Sequence, residues 1–117
     1  MRTLTSSALT SLLACFAFAA AACETPAMIP IPDGKTSSME QLLAAQAQVK
    51  TYMAAMQQYL DCINGELDAQ GETAPEEFKS LMVARNNSAV TEMESVAAAF
   101  NEQVRAYKAA NPTPPKQ

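Results

Sequence analysis

The sequence predicts an all-α chain: an antiparallel two-helix hairpin preceded by an extended, Pro-rich N-terminal arm and tethered to it by a disulfide to helix one. Three observations lead there. Prolines punctuate the chain at 26, 30 and 32, at 75, and at 112, 114 and 115, leaving two long proline-free blocks between them. Within each block apolar residues recur at alternating steps of three and four, the period of a helix face. Two cysteines remain once the first 22 residues are removed, and the arm is long enough to bring them together.

Residues 1–22 read as an export leader. Arg2 is followed by an uncharged stretch from Leu4 to Ala22, apolar in its middle and ending in Ala19-Ala20-Ala21-Ala22. A charged start, an apolar middle and a run of small residues form the pattern of a cleaved secretory signal, with cleavage expected at or just before Cys23. A membrane-spanning helix needs about 20 strongly apolar residues, and Thr5, Ser6, Ser7, Thr10 and Ser11 shorten this stretch below that. The expected location is therefore the periplasm or the exterior, with no stable membrane span after cleavage.

Cleavage changes the composition. Of 8 basic and 12 acidic residues only Arg2 is lost, so the remaining 95 residues carry a net charge of −5. Five aromatics remain (Tyr52, Tyr59, Phe78, Phe100 and Tyr107), together with 16 alanines. Such a chain suits helices packed closely through small side chains. Cys15 leaves with the signal, and an even pair in an oxidising compartment, Cys23 and Cys62, reads as a disulfide. A second reading stays open: Ala20-Ala21-Ala22-Cys23 loosely matches a lipoprotein box, in which Cys23 is acylated and Cys62 is a lone thiol.

After the extended arm, residues 23–37, the first helix is expected over residues 38–69. Ser37-Ser38-Met39-Glu40 reads as a capping box in which the Ser37 hydroxyl accepts from an orphan amide and Glu40 reaches back. Met39, Leu42, Gln46, Val49, Met53, Met56, Leu60, Ile63 and Leu67 then follow a three-four seam, and Gly71 supplies the left-handed residue past the end. The second helix is expected over residues 74–110. Thr73-Ala74-Pro75-Glu76 reads as another capping box with proline in the first turn. Its seam runs Val83, Asn86, Val90, Met93, Ala97, Phe100, Val104 and Tyr107, widened by Ala89 and Val96. Pro112 disfavours helix at Asn111, and residues 111–117 have nothing to bury, so a disordered tail is expected.

Two helices of roughly 45–50 Å joined by a few residues must lie antiparallel. From Ser38 to Cys62 the first helix rises about 36 Å. The stretch from Cys23 to Ser37 spans about 43 Å as a polyproline-type strand. The arm is thus just long enough to run back along helix one, lay Met28, Ile29 and Ile31 over the groove beside Tyr52 and Tyr59, and meet Cys62. Closing that loop of about 40 residues contributes roughly 4 kcal/mol by chain entropy.

Cys23-x-x-Pro26, Ile31-Pro32-Asp33-Gly34, Tyr59-Leu60-Asp61-Cys62 and the run Phe100-Asn101 with Val104-Arg105-Ala106-Tyr107-Lys108 resemble a group of small secreted or periplasmic proteobacterial helical proteins. The resemblance covers nearly the whole chain after the leader. It implies an envelope protein with paired cysteines and carries no activity or binding residues to transfer.

The absence of His removes the commonest general base and metal ligand. Glu76-Glu77 and Glu92-x-Glu94 point different ways on a helix and make a poor acid–base pair. Ser, Thr and Tyr lack an activating partner. No basic stripe suits nucleic acid, and no cysteine set has metal-ligand spacing. No enzyme, cofactor or metal is expected. Met53-x-x-Met56 would suit Cu(I), but methionines on a helical seam are adaptable core residues. What remains is an exported structural or protein-interaction hairpin, with a holdase-type chaperone as the alternative and a Met-based copper-binding protein behind it. Leu43, Tyr52, Tyr59, Leu81 and Val96 widen the apolar stripe beyond what one partner helix needs, so they are the expected interaction surface. The partner is a second copy or another envelope protein.

Overall fold

The computed structural model describes residues 23–114. The leader expected at 1–22 and the end of the tail at 115–117 lie outside the described residues. Two helices, α1 (Met39–Gln70) and α2 (Glu76–Ala110), are joined by the 3-10 turn Gly71–Thr73 and an extended Ala74-Pro75. At 1.5 Å per residue the 32 and 35 residues make rods of about 48 and 52 Å. The rods are antiparallel: Tyr52 of α1 meets Glu92 of α2 and Asn64 meets Asn86. Met39 and Leu43, at the start of α1, border one groove with Val104 and Lys108 near the end of α2. Residues 23–37 form the arm, extended except for a turn at Asp33–Thr36.

The capping box at the start of α1 forms one residue later than the sequence suggests. Asp33 closes a tight turn, accepting from the backbone N–H of Lys35 on its side chain at 2.9 Å and from that of Ser37 on its carbonyl at 3.0 Å. Ser37 is thereby held in the turn, and Ser38 becomes the first residue free to cap. Its hydroxyl accepts from the Gln41 N–H at 3.2 Å, while Gln41 Oε1 accepts from the Ser38 N–H at 2.7 Å. Gln41, not Glu40, completes the reciprocal pair. At the other end Gly71 takes φ +64° and ψ −160°, an extended positive-φ conformation open to glycine rather than the left-handed helical one expected, and donates to the carbonyls of Leu67 and Asp68.

The expected Thr73–Glu76 box does not form, and α2 starts two residues later than expected. Pro75 pushes Ala74 out of the helical region, and Ala74 sits extended at φ −57°, ψ 138°. The Thr73 hydroxyl donates back to Gln70 O at 3.3 Å instead of capping α2. Glu76 and Glu77 occupy the first turn, where negative charge complements the helix dipole. Lys79 pairs with Glu76 at 2.9 Å. Asn111 ends the helix, its N–H donating to Tyr107 O at 2.9 Å.

The core gathers Tyr52, Met56, Tyr59, Leu60 and Ile63 of α1 against Met82, Ala89 and Val96 of α2. Leu42, Ala45 and Phe100 continue it toward the open end. The seam of α2 keeps Asn86, Met93, Phe100 and Tyr107 as the spacing suggested, but Met82, Ala89, Val96 and Gln103 take the places expected for Val83, Val90, Ala97 and Val104. Met82 is 3% exposed while Val83 is 54% and Val90 40%. The observed line is Met82, Asn86, Ala89, Met93, Val96, Phe100, Gln103 and Tyr107, each buried or half-buried. Met39 and Gln46 of the expected α1 seam are likewise exposed. The cause is a third element. Ile29, Ile31 and Cys23 of the arm pack on the same cluster, so α2 turns its buried face toward both α1 and the arm.

Candidate functional site: the clamped arm and the open face

The arm runs opposite to α1 along one groove of the hairpin. Cys23 is bonded to Cys62, with Cα atoms 5.8 Å apart across 39 positions of sequence. A sulfur in that bond carries no lipid thioether. Pro26, Ala27 and Ile29 then follow Ala55, Tyr52, Thr51, Gln48 and Ala47 back along α1. On the α2 side, Thr25 and Tyr59 border a cleft with Arg85, Ser88, Ala89 and Glu92. Side chains alternate along this extended stretch as on a strand, with Ile29 and Ile31 turned in and Met28 and Pro30 out. Met28 is exposed; it does not join the cover expected of it.

The far end of the arm is locked onto α2. Gly34 donates its N–H to Gln103 Oε1 at 2.9 Å and is buried. A Cβ on Gly34 would lie 1.8 Å from the Gln103 carbonyl oxygen and 3.0 Å from the Tyr107 nitrogen. Only a residue without a side chain allows that approach of two backbones. The arm is thus pinned by a covalent bond at its start and by this contact near its end.

Under the arm, the Tyr52 hydroxyl donates to the Glu92 carboxylate across the two helices. Burial, the bond to Glu92 and the negative charge of Glu92 together push the Tyr52 hydroxyl up from 10.0 to about 12. A neutral hydroxyl is therefore favoured in the folded chain relative to the unfolded one. The stability from this pair is fully present below pH 10 and is lost as pH rises from about 10 toward 12. Replacing Tyr52 with Phe should cost about 1–2 kcal/mol at neutral pH, because the carboxylate loses its donor. It should also flatten the alkaline loss. Urea unfolding of both chains at neutral pH and above pH 10 checks this; an equally steep alkaline loss in Tyr52→Phe contradicts it.

The residues expected to form the interaction surface separate into two groups. Tyr52, Tyr59 and Val96 are buried in the core, at 3%, 7% and 6% exposure, where the two helices and the arm pack together. Leu43 and Leu81 are exposed. Leu81 lies about 200° around α2 from Val83, so it belongs to a different flank. Periodicity within one helix showed neither the cover nor the split. Of the methionines, Met56 and Met82 are buried and Met53 and Met93 half-buried beside them, so packing accounts for their placement. No helix among the described residues is long and apolar enough to cross a membrane.

The groove opposite the arm is the one left uncovered. By helical spacing, half-buried Met53 and Leu67 of α1 and Val83, Val90 and half-buried Met93 of α2 fall on this flank, where Asn64 and Asn86 meet at 3.5 Å. At its open end Met39, Leu43, Phe100, Val104 and Tyr107 line an apolar recess of about 200 Å³. Near the turn, Leu67 and Val83 line a shallower hollow with Asp68 and Lys79. No protein-family model, curated protein or solved structure matches this chain.

Proposed function

We propose that this chain is an exported structural hairpin, of the kind its leader and motifs resemble, which associates with a second copy through the groove opposite the arm. The carrying observation is the asymmetry of the two grooves. One is filled by Ile29 and Ile31; the other presents Val83 and Val90, more than a third exposed, on the same apolar architecture. Two such faces laid together bury both strips and make a four-helix bundle. An oxidising compartment supports the Cys23–Cys62 bond, in keeping with export. Without His, and with the Tyr52–Glu92 pair engaged in holding the two helices, a binding role fits better than catalysis.

Light scattering at tens of micromolar tests it. The chain is expected at about twice its monomer mass. Val83→Gln with Val90→Gln is expected to restore the monomer without loss of helical signal, since both side chains are exposed in the single chain. A wild-type monomer contradicts the dimer, and a monomer that keeps an unfolded client from aggregating favours the holdase reading instead.

A further inference from the structure

Where the arm begins, three groups with metal-binding chemistry converge. Cys23 Sγ, Cys62 Sγ and a carboxylate oxygen of Glu66 all lie within 4.8 Å of one another. Cys62 and Glu66 are one helical turn apart on α1, so they share a face, and the arm carries Cys23 to them. Glu66 is half-buried and makes no hydrogen bond or ion pair among the described residues. Cys62 is exposed, which gives small thiols access to the bond.

We propose that this cluster is a redox-gated metal site: closed while the disulfide stands and, once it is reduced, binding one Zn²⁺-like cation through Cys23, Cys62 and Glu66. A dithiol supplies the two electrons. Its two S–H groups become a disulfide as the Cys23–Cys62 bond opens to two thiols. The cation then displaces both thiol protons, leaving two thiolates and one carboxylate around a 2+ charge.

Tetrahedral zinc, with bonds of about 2.3 Å to sulfur and 2.1 Å to oxygen, places such ligand atoms roughly 3.6–3.8 Å apart. These separations fall inside the 4.8 Å span of the cluster, so side-chain rotation opens the site without moving α1. The arm stays near because its other anchors do not depend on sulfur: Ile29 and Ile31 remain on the core and Gly34 on Gln103. Water completes the fourth position on the exposed side. The metal then restores the tether that reduction removed.

The test uses the full chain, reduced with a dithiol and freed from it by anaerobic gel filtration. Co²⁺ serves as the spectroscopic probe and Zn²⁺ as the competitor. The reduced chain is expected to bind one Co²⁺ with sulfur-to-metal charge-transfer absorption, to release it to Zn²⁺, and to regain thermal stability on loading. The oxidised chain binds none. Glu66→Gln, which keeps both sulfurs and the helix, should weaken binding by about tenfold or more. Equal affinity in Glu66→Gln, absence of the charge-transfer band in the reduced chain, or loss of helical signal on reduction before metal is added each overturns the proposal.

Discussion

Gly34→Ala is expected to lower the thermal midpoint by about 10–20 °C, the equivalent of about 2–3 kcal/mol in a domain of this size. The added methyl carbon would sit 1.8 Å from the backbone oxygen of Gln103 and 2.7 Å from its carbonyl carbon. A flexible side-chain tip could swing away; backbone inside a helix cannot. The arm must lift instead, losing the Gly34 N–H bond to Gln103 and uncovering Ile31. Gly65→Ala is the matched control with the opposite sign. Gly65 lies inside α1 with nothing within 4 Å of its would-be Cβ. Alanine there should stabilise by about 0.5–1 kcal/mol through helix propensity alone. Calorimetry on the two variants distinguishes a backbone clamp from ordinary glycine flexibility. Equal midpoints for wild type and Gly34→Ala would remove the clamp.

Reducing the Cys23–Cys62 bond, or replacing both cysteines with alanine, is expected to cost about 3–4 kcal/mol and about 15–30 °C. The bond closes a loop across 39 positions, and an open chain of that length regains much conformational freedom on unfolding. The native contacts of the arm survive, so the double variant should keep its helical signal and lose any sensitivity to dithiols. Urea titrations with and without reductant measure the difference; identical midpoints for the wild-type chain would assign the tether no stabilising role. The two anchors hold opposite ends of one segment. Combining Gly34→Ala with loss of the disulfide should therefore differ from the sum of the separate effects, because each single change leaves the other anchor in place.

The alkaline sensitivity of Tyr52–Glu92 and the mass of the Val83/Val90 variant probe separate layers of the same arrangement. The first reads the groove the arm fills, the second the groove it leaves open.

Much of this architecture was legible along the chain. Proline-free blocks and three-four spacing marked both helices, with Gly71 and Pro112 at their ends. A connection of a few residues forced them antiparallel. Two cysteines left after the leader suggested the Cys23–Cys62 pair, and the reach of the arm against the rise of α1 permitted it. These are one-dimensional properties: backbone stereochemistry and chain length act whatever else is nearby. The rotation of α2 is different in kind. A broad apolar stripe that includes Ala89, Val90, Met93, Val96 and Ala97 accepts a turn of about 50°, which moves one line of the seam by a residue and keeps the other, at little local cost. What chooses between the settings is the third body in the groove. With Ile29 and Ile31 already against α1, Met82, Ala89 and Val96 turn inward, Val83 and Val90 turn out, and Tyr52 and Tyr59 are covered. The same applies to Ser38 taking the cap from Ser37 and to the contact of Gly34 with Gln103, each set by a turn meeting a neighbour. Local spacing determined which segments are helical and which cysteines can meet; packing among three elements decided which faces are hidden, because burial depends on what lies opposite rather than on what lies next in the chain.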